Sequence, residues 1–192
     1  MRRRAAIAWS VALLAGCGIW LLGHGVWIHA KGELAQHLLW HAWARTLAGD
    51  TTVKPWPWAD TWPVARLQLP AHGVDLIVLD GVSGRTLAFG PGHVSGTPLP
   101  GADGVAVIAG HRDTHFRFLR HVQAGDEIVI EAPGRRRARF RVRERAVVDA
   151  RTAVLAGADD APELVLITCY PFDALRPGGP LRYVVLAEAD RG

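Results

Sequence analysis

The hydrophobic and polar positions divide the chain into an apolar N-terminal stretch and a longer region of short apolar runs. Residues 5–28 contain no Asp, Glu, Lys or Arg, and as a helix they would be about 36 Å long, enough to cross a bilayer. Residues 31–48 have leucines at helical spacing, which predicts an amphipathic helix that ends at Gly49. The start of the chain is therefore predicted to be helical.

From residue 64 onward, short apolar or alternating runs are separated by Gly, Pro and Asp, which is typical of β-strands. The predicted strands are 65–70, 75–80, 104–110, 126–132, 137–149, 163–169 and 181–187. One short stretch, 114–122, has a helical pattern. Seven or eight short strands with so little helix predict a mainly β domain, either a barrel or a sandwich.

Aromatic residues mark the boundary between these two parts. All eight tryptophans precede residue 63, whereas all five phenylalanines and both tyrosines follow it. Residues 54–63 (KPWPWADTWP) contain three prolines, which exclude a helix or a central strand, so they form either a membrane-proximal belt or a strap packed on the domain. We predict a transmembrane signal anchor over 1–30, a membrane-proximal helix and Trp/Pro-rich linker over 31–63, and a β domain over 64–192.

Charge adds an orientation to the predicted anchor. Arg2, Arg3 and Arg4 precede the apolar stretch, and the positive-inside rule keeps them in the cytoplasm. The prediction is a single pass with the N-terminus inside and everything after residue 30 outside. The formal charge is +4, and without these three arginines it is +1, so the composition does not indicate a nucleic-acid-binding protein.

Cys17 allows a second interpretation of the anchor. Leu14-Ala15-Gly16-Cys17 resembles the lipobox of bacterial lipoproteins, in which the cysteine is acylated and the preceding segment is removed. Against this interpretation, the apolar run continues for eleven residues past Cys17, where a lipoprotein normally has a polar tether.

Arginine occupies every odd position from 137 to 145 in the strand predicted over 137–149. Strict alternation puts these five side chains on one face, opposite Ala138, Phe140 and Val142. We interpret the stripe as the solvated side of a strand; the alternative is a surface that attracts anionic lipid or envelope polymers.

Two residues with reactive side chains stand at the ends of predicted strands. Cys169 ends 163–169, and His111 directly follows 104–110. Cys17 lies in the apolar stretch, so Cys169 has no disulfide partner. An unpaired thiol is a candidate nucleophile when a proton donor and an oxyanion donor lie close.

An arginine could supply the oxyanion donor. If strands 163–169 and 181–187 pair antiparallel, Arg182 returns beside Cys169, and a guanidinium there could stabilise negative charge. Arg176 in the intervening loop is the competitor, although a strand holds a side chain more firmly than a loop rich in Pro and Gly.

The residues next to His111 are expected to have less direct roles. Arg112 is expected at the surface or rim, and Asp113 and Thr114 in the turn. His115 and His121, on the predicted helix, are expected in surface positions.

These residues stand in motifs that resemble those of sortases. The motifs are VIAGHRDTHFRFLRHVQAGDEIVI around His111, LVLITCYPFD around Cys169, and LRYVV with Arg182, which follows the cysteine by 13 residues. ARLQLPAHGVDLIVLDG and GPGHVSGTPLPG also match, so the resemblance covers residues 64–187. The N-terminal segments KGELAQHLLWHAW and PWPWADTWPVARL are most similar to the sortases of Gram-negative proteobacteria (class GN type). Many relatives have Gly-Asn shortly before Ala-Gly-His, where this chain has Gly104-Val105.

The resemblance implies a sortase-like fold: mainly β, a closed eight-stranded β-barrel with short helices, preceded by a transmembrane helix. It also implies a cysteine transpeptidase. In such an enzyme Cys169 attacks a Thr–Gly-type bond, His111 protonates the departing amine and Arg182 holds the substrate and stabilises the oxyanion. Thr168 would support the cysteine strand or contact substrate.

The expected partners follow from the same resemblance. They are a surface protein with a C-terminal LPXTG-like sorting signal, an amine acceptor that receives the acyl group, and the membrane that holds the N-terminal helix. The catalytic domain would then lie on the periplasmic (extracytoplasmic) side of the cytoplasmic (inner) membrane. No organic cofactor or metal is expected.

Three alternatives belong to other classes of protein. A thiol hydrolase of the same fold would use water in place of the amine. A non-catalytic, membrane-tethered β-domain would bind envelope polymer through the arginine stripe, but it leaves the coincidence of Cys169, His111 and Arg182 unexplained. An L,D-transpeptidase also pairs Cys with His, but its thiol stands in a Ser-x-Gly-Cys-x-Arg context, whereas the context here is Leu-Ile-Thr-Cys-Tyr-Pro.

Overall fold

The computed structural model describes residues 2–153, 161–174 and 178–190 and divides the chain into two compact units, 1–37 and 38–192. Helix α1 (Arg2–Leu47) forms the first unit and continues into the second. By length and composition, α1 is capable of crossing a membrane. Large apolar side chains such as Trp9, Leu14 and Trp20 are exposed along its N-terminal part.

The second unit is built around eight strands that close into a barrel. They are β1 (Pro63–Leu69), β2 (Val74–Asp80), β3 (Gly92–His93), β4 (Gly104–Ala109), β5 (Glu127–Ala132), β6 (Arg136–Asp149), β7 (Pro162–Cys169) and β8 (Leu181–Ala189). Neighbouring strands follow the order β1-β2-β3-β4-β7-β8-β6-β5 around the barrel. The predicted mainly β fold with a closed eight-stranded barrel is confirmed.

All seven predicted strands are present with ends that agree within two residues. The strand that the sequence did not predict is β3, which has two residues and therefore no periodic pattern. Two helical elements also differ from expectation. Helix α2 (Gly84–Phe89), capped by the Ser83 hydroxyl, was not predicted, and the helix expected over 114–122 is a 3₁₀ turn at Arg117–His121.

The barrel encloses one apolar core because alternate residues of each strand point inward. Leu67, Ile108, Ile130, Leu166 and Val185, each from a different strand, are fully buried there. Phe116, Leu119 and Val122 join the same core from the segment between β4 and β5. The segment that follows His111 is thus anchored by its own apolar side chains.

The pairing of β4, β7 and β8 determines which residues meet at one end of the barrel. Strands β4 and β7 are parallel, with Ala109 opposite Ile167, so both strands end at the same edge. Strands β7 and β8 are antiparallel, so β8 begins at the edge where β7 ends. Consequently the residues that follow β4 and those that end β7 lie near the first residues of β8.

The arginine stripe does not stay on one face of β6. The pairing with β8 shifts between Val142 and Glu144, which is the signature of a β-bulge at Arg143. Beyond the bulge, Arg145 lies opposite the inward-facing Val185 and donates a hydrogen bond to the Val122 carbonyl (2.8 Å). The expectation of five arginines on one face was therefore wrong at Arg145, because the extra residue reverses the alternation.

The Trp/Pro-rich segment packs on the domain at several points. The Trp56 ring meets Phe89 edge-on with ring centroids 4.8 Å apart, and Trp62 packs against the barrel core. The Thr61 hydroxyl donates to the Asp80 carbonyl (2.7 Å). Trp58, by contrast, is 82% exposed. The alternative of a packed strap therefore describes most of this segment.

Candidate active site

Cys169 is the last residue of β7, and Arg182 lies directly opposite it on β8. The sequence-based expectation of this antiparallel pairing is confirmed. Residues paired across two strands present their side chains to the same face, so the thiol and the guanidinium share one face of the sheet. Cys169 is partly exposed and not in a disulfide, which leaves the sulfur accessible from that face.

His111 follows β4 directly, and the parallel ladder brings it to the same edge as Cys169. The Gly110 N–H donates to the Ile167 carbonyl (3.1 Å), which extends the ladder to the residue before His111. The carbonyl of His111 accepts a hydrogen bond from the Phe116 N–H (3.0 Å), closing the turn that follows. His111 is exposed, so its ring is available to a bound molecule.

Thr168 ties the end of β7 to the end of β4. Its side chain is 3% exposed, and the hydroxyl donates to the Gly110 carbonyl (2.7 Å). Thr168 directly precedes Cys169, and Gly110 directly precedes His111. This hydrogen bond therefore fixes the backbones next to the two reactive residues relative to each other. Of the two roles considered for Thr168, support of the cysteine strand has this direct contact, and contact with substrate stays a prediction.

The Arg182 guanidinium is oriented by the backbone that leads into β8. Its Nη1 donates to the carbonyls of Gly179 (2.8 Å) and Leu181 (2.9 Å). Within the described residues, Nε and Nη2 make no hydrogen bond. The positive charge of Arg182 also contributes to lowering the pKa of Asp149, which is mainly lowered by hydrogen bonds from Arg151. The competitor Arg176 lies outside the described residues.

Arg112 is buried rather than placed at the surface or rim. Its side chain is 5% exposed, with Nη1 donating to the Pro171 carbonyl (2.6 Å) and Nη2 to the Ala174 carbonyl (2.8 Å). The expected surface position of Arg112 was wrong because it is covered by the backbone of Pro171 and Ala174, which are distant in sequence. The local sequence around an arginine in a hydrophilic turn does not indicate such a contact. Asp113 does lie in the turn, and Thr114 donates its N–H to the His111 carbonyl (3.4 Å).

Aromatic rings pack together at the end of β7 and the start of β8, next to the thiol and the guanidinium. Tyr170 stacks on Tyr183 with centroids 6.3 Å apart and an interplanar angle of 20°. Phe172 meets Tyr183 edge-on at 5.1 Å. Because Tyr170 follows Cys169 and Tyr183 follows Arg182, these contacts restrain the backbone on both sides of the site.

An apolar surface leads along the strands toward Cys169. It is formed by outward-facing side chains of β4, β7 and β8, with Val107, Val165 and Val184 buried at its centre. Ile167, two residues before Cys169, belongs to this cluster. The site thus combines a thiol, an imidazole and a guanidinium at one end of an apolar face, a set suited to acyl transfer. No cluster of metal-ligating side chains occurs in the part of the chain that the structure describes.

Comparison with known proteins decides the family. The model of the sortase domain matches residues 67–190, which include every strand from β2 to β8 and the last three residues of β1. The chain belongs to the sortase family. Sortase D of Bacillus subtilis (strain 168) is 29% identical over 122 residues, which are 64% of this chain and 61% of that protein.

Solved sortases have the same fold. Sortase A from Corynebacterium diphtheriae superposes with a TM-score of 0.61 and 28% identity, covering 69% of this chain and 63% of that one. The sortase D5 transpeptidase of Clostridium perfringens gives a TM-score of 0.58 and 28% identity, covering 67% and 79%. This sortase therefore spans less than two thirds of the length of Sortase D and of Sortase A.

The structure adds His115 to the residues near the site. This side chain is half-buried, and burial lowers the pKa of His115 below its ordinary value of 6.5. A hydrogen bond from its ring to the Ala88 carbonyl opposes the shift, and the positive charge of a protonated His111 adds to it. His115 was expected at the surface of the predicted helix 114–122. In the structure it lies in the turn that precedes Arg117–His121, and its ring contacts the backbone of Ala88 in α2.

Proposed function

We propose that this sortase is a membrane-anchored transpeptidase that cleaves an LPXTG-like sorting signal and transfers the acyl group to an amine. The observation that carries the proposal is the pairing of Cys169 with Arg182 at the edge where β4 delivers His111. Three groups with complementary chemistry converge there from separate strands. A solely structural role for all three would require no such convergence.

In the proposed reaction, the Cys169 sulfur attacks the carbonyl carbon of the Thr–Gly-type bond. Negative charge develops on the carbonyl oxygen, and the Nε and Nη2 donors of Arg182 stabilise it. The C–N bond then breaks, His111 protonates the leaving amine, and a thioester remains on Cys169. An incoming amine attacks the thioester carbon, gives up a proton to the site, and releases Cys169 as the thiol.

The surroundings of the thiol support this sequence of steps. A thiolate next to an imidazolium is stabilised, which is how cysteine nucleophiles are activated. Within the described residues, neither the Cys169 sulfur nor the His111 ring is engaged in a side-chain hydrogen bond, so both can turn to a substrate. The apolar face that ends at Ile167 suits the leucine and proline of an LPXTG-like peptide.

The proposed cellular setting follows from α1. We propose a single pass with Arg2, Arg3 and Arg4 in the cytoplasm and the catalytic domain on the periplasmic side of the inner membrane. The helical and Trp/Pro-rich segment over 31–63 supports assignment to the class found in Gram-negative proteobacteria. The proposed division at residues 30 and 63 separates the anchor, this linker and the catalytic domain.

The test is to incubate the full chain in detergent with LPXTG-type peptides, with and without an amine acceptor. Products are identified by mass spectrometry, and Cys169→Ala is compared with the matched variant Cys17→Ala. The expected result is a thioester adduct on Cys169 that the amine resolves, present in Cys17→Ala and absent in Cys169→Ala.

Other outcomes point to the alternative functions. Cleavage by water that the amine does not redirect would identify a thiol hydrolase of the same fold. Equal behaviour of Cys169→Ala and the unmodified chain, with no adduct from any peptide, would favour a non-catalytic envelope-binding domain.

A further inference from the structure

Arg112 is a buried cation one residue after His111, and the two terminal nitrogens of its guanidinium donate to backbone carbonyls. Nη1 and Nη2 reach the carbonyls of Pro171 and Ala174 at 2.6 and 2.8 Å. Its one ionic contact, from Nε to the Asp113 carboxylate at 3.3 Å, is to a side chain that is 71% exposed. A single, largely solvated carboxylate is a weak counterion for a buried charge.

Burial of a guanidinium is costly unless its donors are satisfied, because arginine stays ionised in proteins. Here the compensation comes from two carbonyls of one short segment, Pro171–Ala174. The planar fork of arginine can donate to both at once, whereas the ammonium of lysine has neither the reach nor the planar geometry. The contact is therefore specific for arginine and for one arrangement of that segment.

The segment held in this way begins two residues after Cys169. The backbone ladder between β4 and β7 ends at the Gly110–Ile167 hydrogen bond, and the Thr168 hydroxyl adds one more link to Gly110. Past this point no backbone hydrogen bond joins the segment after β4 to the segment after β7 within the described residues. Arg112 reconnects them beyond the reacting residues, two and five positions after Cys169.

A second arginine contacts the same segment more loosely. Arg120 lies over the Phe172 ring, 5.1 Å from its centroid, and its Nη2 is 3.4 Å from the Phe172 carbonyl. This side chain is exposed, so its contribution is small. The buried contacts of Arg112 are the ones able to define the position of the segment.

We propose that Arg112 is a positioning residue that fixes the approach of His111 to Cys169 by clamping the segment Pro171–Ala174 onto the His111 turn. This role rests on the proposed function of the two reacting residues. It requires the forked hydrogen bonds of arginine and not merely a positive charge. Loss of the clamp lets the thiol and the imidazole drift apart, which lowers turnover more than peptide binding.

The test compares Arg112→Lys and Arg112→Gln in the full chain in detergent, with Arg117→Gln as the control. Arg117 is an exposed arginine of the same segment. Turnover of an LPXTG-type peptide is expected to fall about 100-fold in kcat in both Arg112 variants, since misplacement of reacting groups by about 1 Å has effects of that size. KM is expected to change by no more than about twofold, because uniform binding is kept. The control keeps both constants.

A second readout does not depend on any sorting peptide. The rate of Cys169 alkylation by iodoacetamide at neutral pH, mapped by mass spectrometry, reports the thiolate that a nearby imidazolium favours. We expect His111→Ala, Arg112→Lys and Arg112→Gln to slow alkylation alike, and Arg117→Gln to leave it unchanged. Melting temperatures of all variants are measured alongside.

Each of the other possible outcomes rejects the proposal and identifies a different explanation. Slowing by His111→Ala with normal rates in the Arg112 variants rejects the clamp and leaves the proposed function standing. Normal behaviour of Arg112→Lys with loss in Arg112→Gln means that charge alone matters. Unfolding of both Arg112 variants assigns the residue a purely structural role. Unchanged alkylation in His111→Ala, without peptide turnover, rejects the proposed function itself.

Discussion

At the scale of single residues, close packing around the reacting groups is as constraining as their chemistry. Gly110, which precedes His111, has the Phe116 ring against its α-carbon: a Cβ there would lie 2.7–3.0 Å from three ring atoms. Phe116 is fully buried in the barrel core and cannot retreat without opening a cavity. The position of His111 therefore depends on the absence of a side chain at residue 110.

The first prediction concerns this contact. Gly110→Ala forces the Phe116 ring or the His111 turn to move, and overpacking of this kind destabilises by about 1–3 kcal/mol. We expect a lower urea midpoint together with reduced peptide turnover. Gly84→Ala is the matched control, because a Cβ at Gly84 meets nothing within 4 Å and helix α2 favours alanine there. Equal stability of the two variants would contradict the packing argument.

The second prediction concerns Arg182. Removal of an oxyanion donor typically lowers kcat by about 10²–10³-fold, and we expect this for Arg182→Ala. Arg182→Lys keeps the positive charge but loses the guanidinium, whose orientation is set by the hydrogen bonds of Nη1 to the Gly179 and Leu181 carbonyls. Its kcat is therefore expected to lie between those of Arg182→Ala and the unmodified chain. Arg139→Ala, an exposed arginine of β6, serves as the control. An Arg182→Ala variant with unchanged steady-state kinetics would exclude the role.

At the scale of elements, the site is a consequence of strand direction. Parallel pairing of β4 with β7 brings two strand ends together, and antiparallel pairing of β7 with β8 returns the chain to the same edge. Three residues separated by 58 and 13 positions along the chain (111, 169 and 182) thereby become neighbours. Helix α2 adds a further element at this edge through the His115–Ala88 hydrogen bond.

The third prediction concerns the contact of His115 with α2. Burial lowers the pKa of His115 below 6.5 in the folded chain, so the unfolded chain binds this proton more readily. Its contribution to the free energy of unfolding is fully present above pH 6.5 and is lost as the pH falls below that value. We expect the urea midpoint to drop less between pH 7.5 and about pH 5.5 in His115→Asn than in the unmodified chain.

The control for this experiment is His121→Asn. His121 is exposed at the end of the 3₁₀ turn and should leave the pH dependence of the urea midpoint as it is. An identical drop in all three proteins would show that His115 does not contribute to the pH dependence of stability.

At the scale of the whole molecule, one cysteine lies in the N-terminal helix and the other in the β-barrel. Cys17 lies in the apolar part of α1, and Cys169 lies at the end of β7. If the chain crosses the inner membrane with its N-terminus inside, only Cys169 faces the periplasm. The thiols can therefore be used to determine orientation.

The fourth prediction uses a membrane-impermeant maleimide on spheroplasts that express the full chain. Cys169 is expected to be labelled and Cys17 protected until detergent is added; Cys169→Ala should show no labelling before detergent. Labelling of Cys169 only after lysis would reverse the proposed orientation. A mass increase on Cys17 matching acyl chains, with loss of residues 1–16, would instead establish the lipoprotein alternative.

The sequence by itself was sufficient for seven of the eight strands, and it brought out three candidate reactive positions. The alternating and continuous apolar runs that predicted these strands are a local property of the sequence, readable without knowledge of the neighbouring strands. Cys169, His111 and Arg182 stood out because each lies at or next to the end of a predicted strand, and antiparallel pairing of 163–169 with 181–187 was expected to bring Arg182 beside Cys169, as the structure shows.

Only the tertiary structure decided where several other polar side chains are placed. The burial of Arg112, the orientation of His115 and the reversal of Arg145 beyond the bulge all depend on segments that are distant in sequence. The local sequence pattern around a polar residue in a turn is the same whether its side chain donates hydrogen bonds to water or to a carbonyl that is distant in sequence. Local periodicity therefore determined the elements, whereas contacts through space determined where Arg112, His115 and Arg145 place their polar atoms.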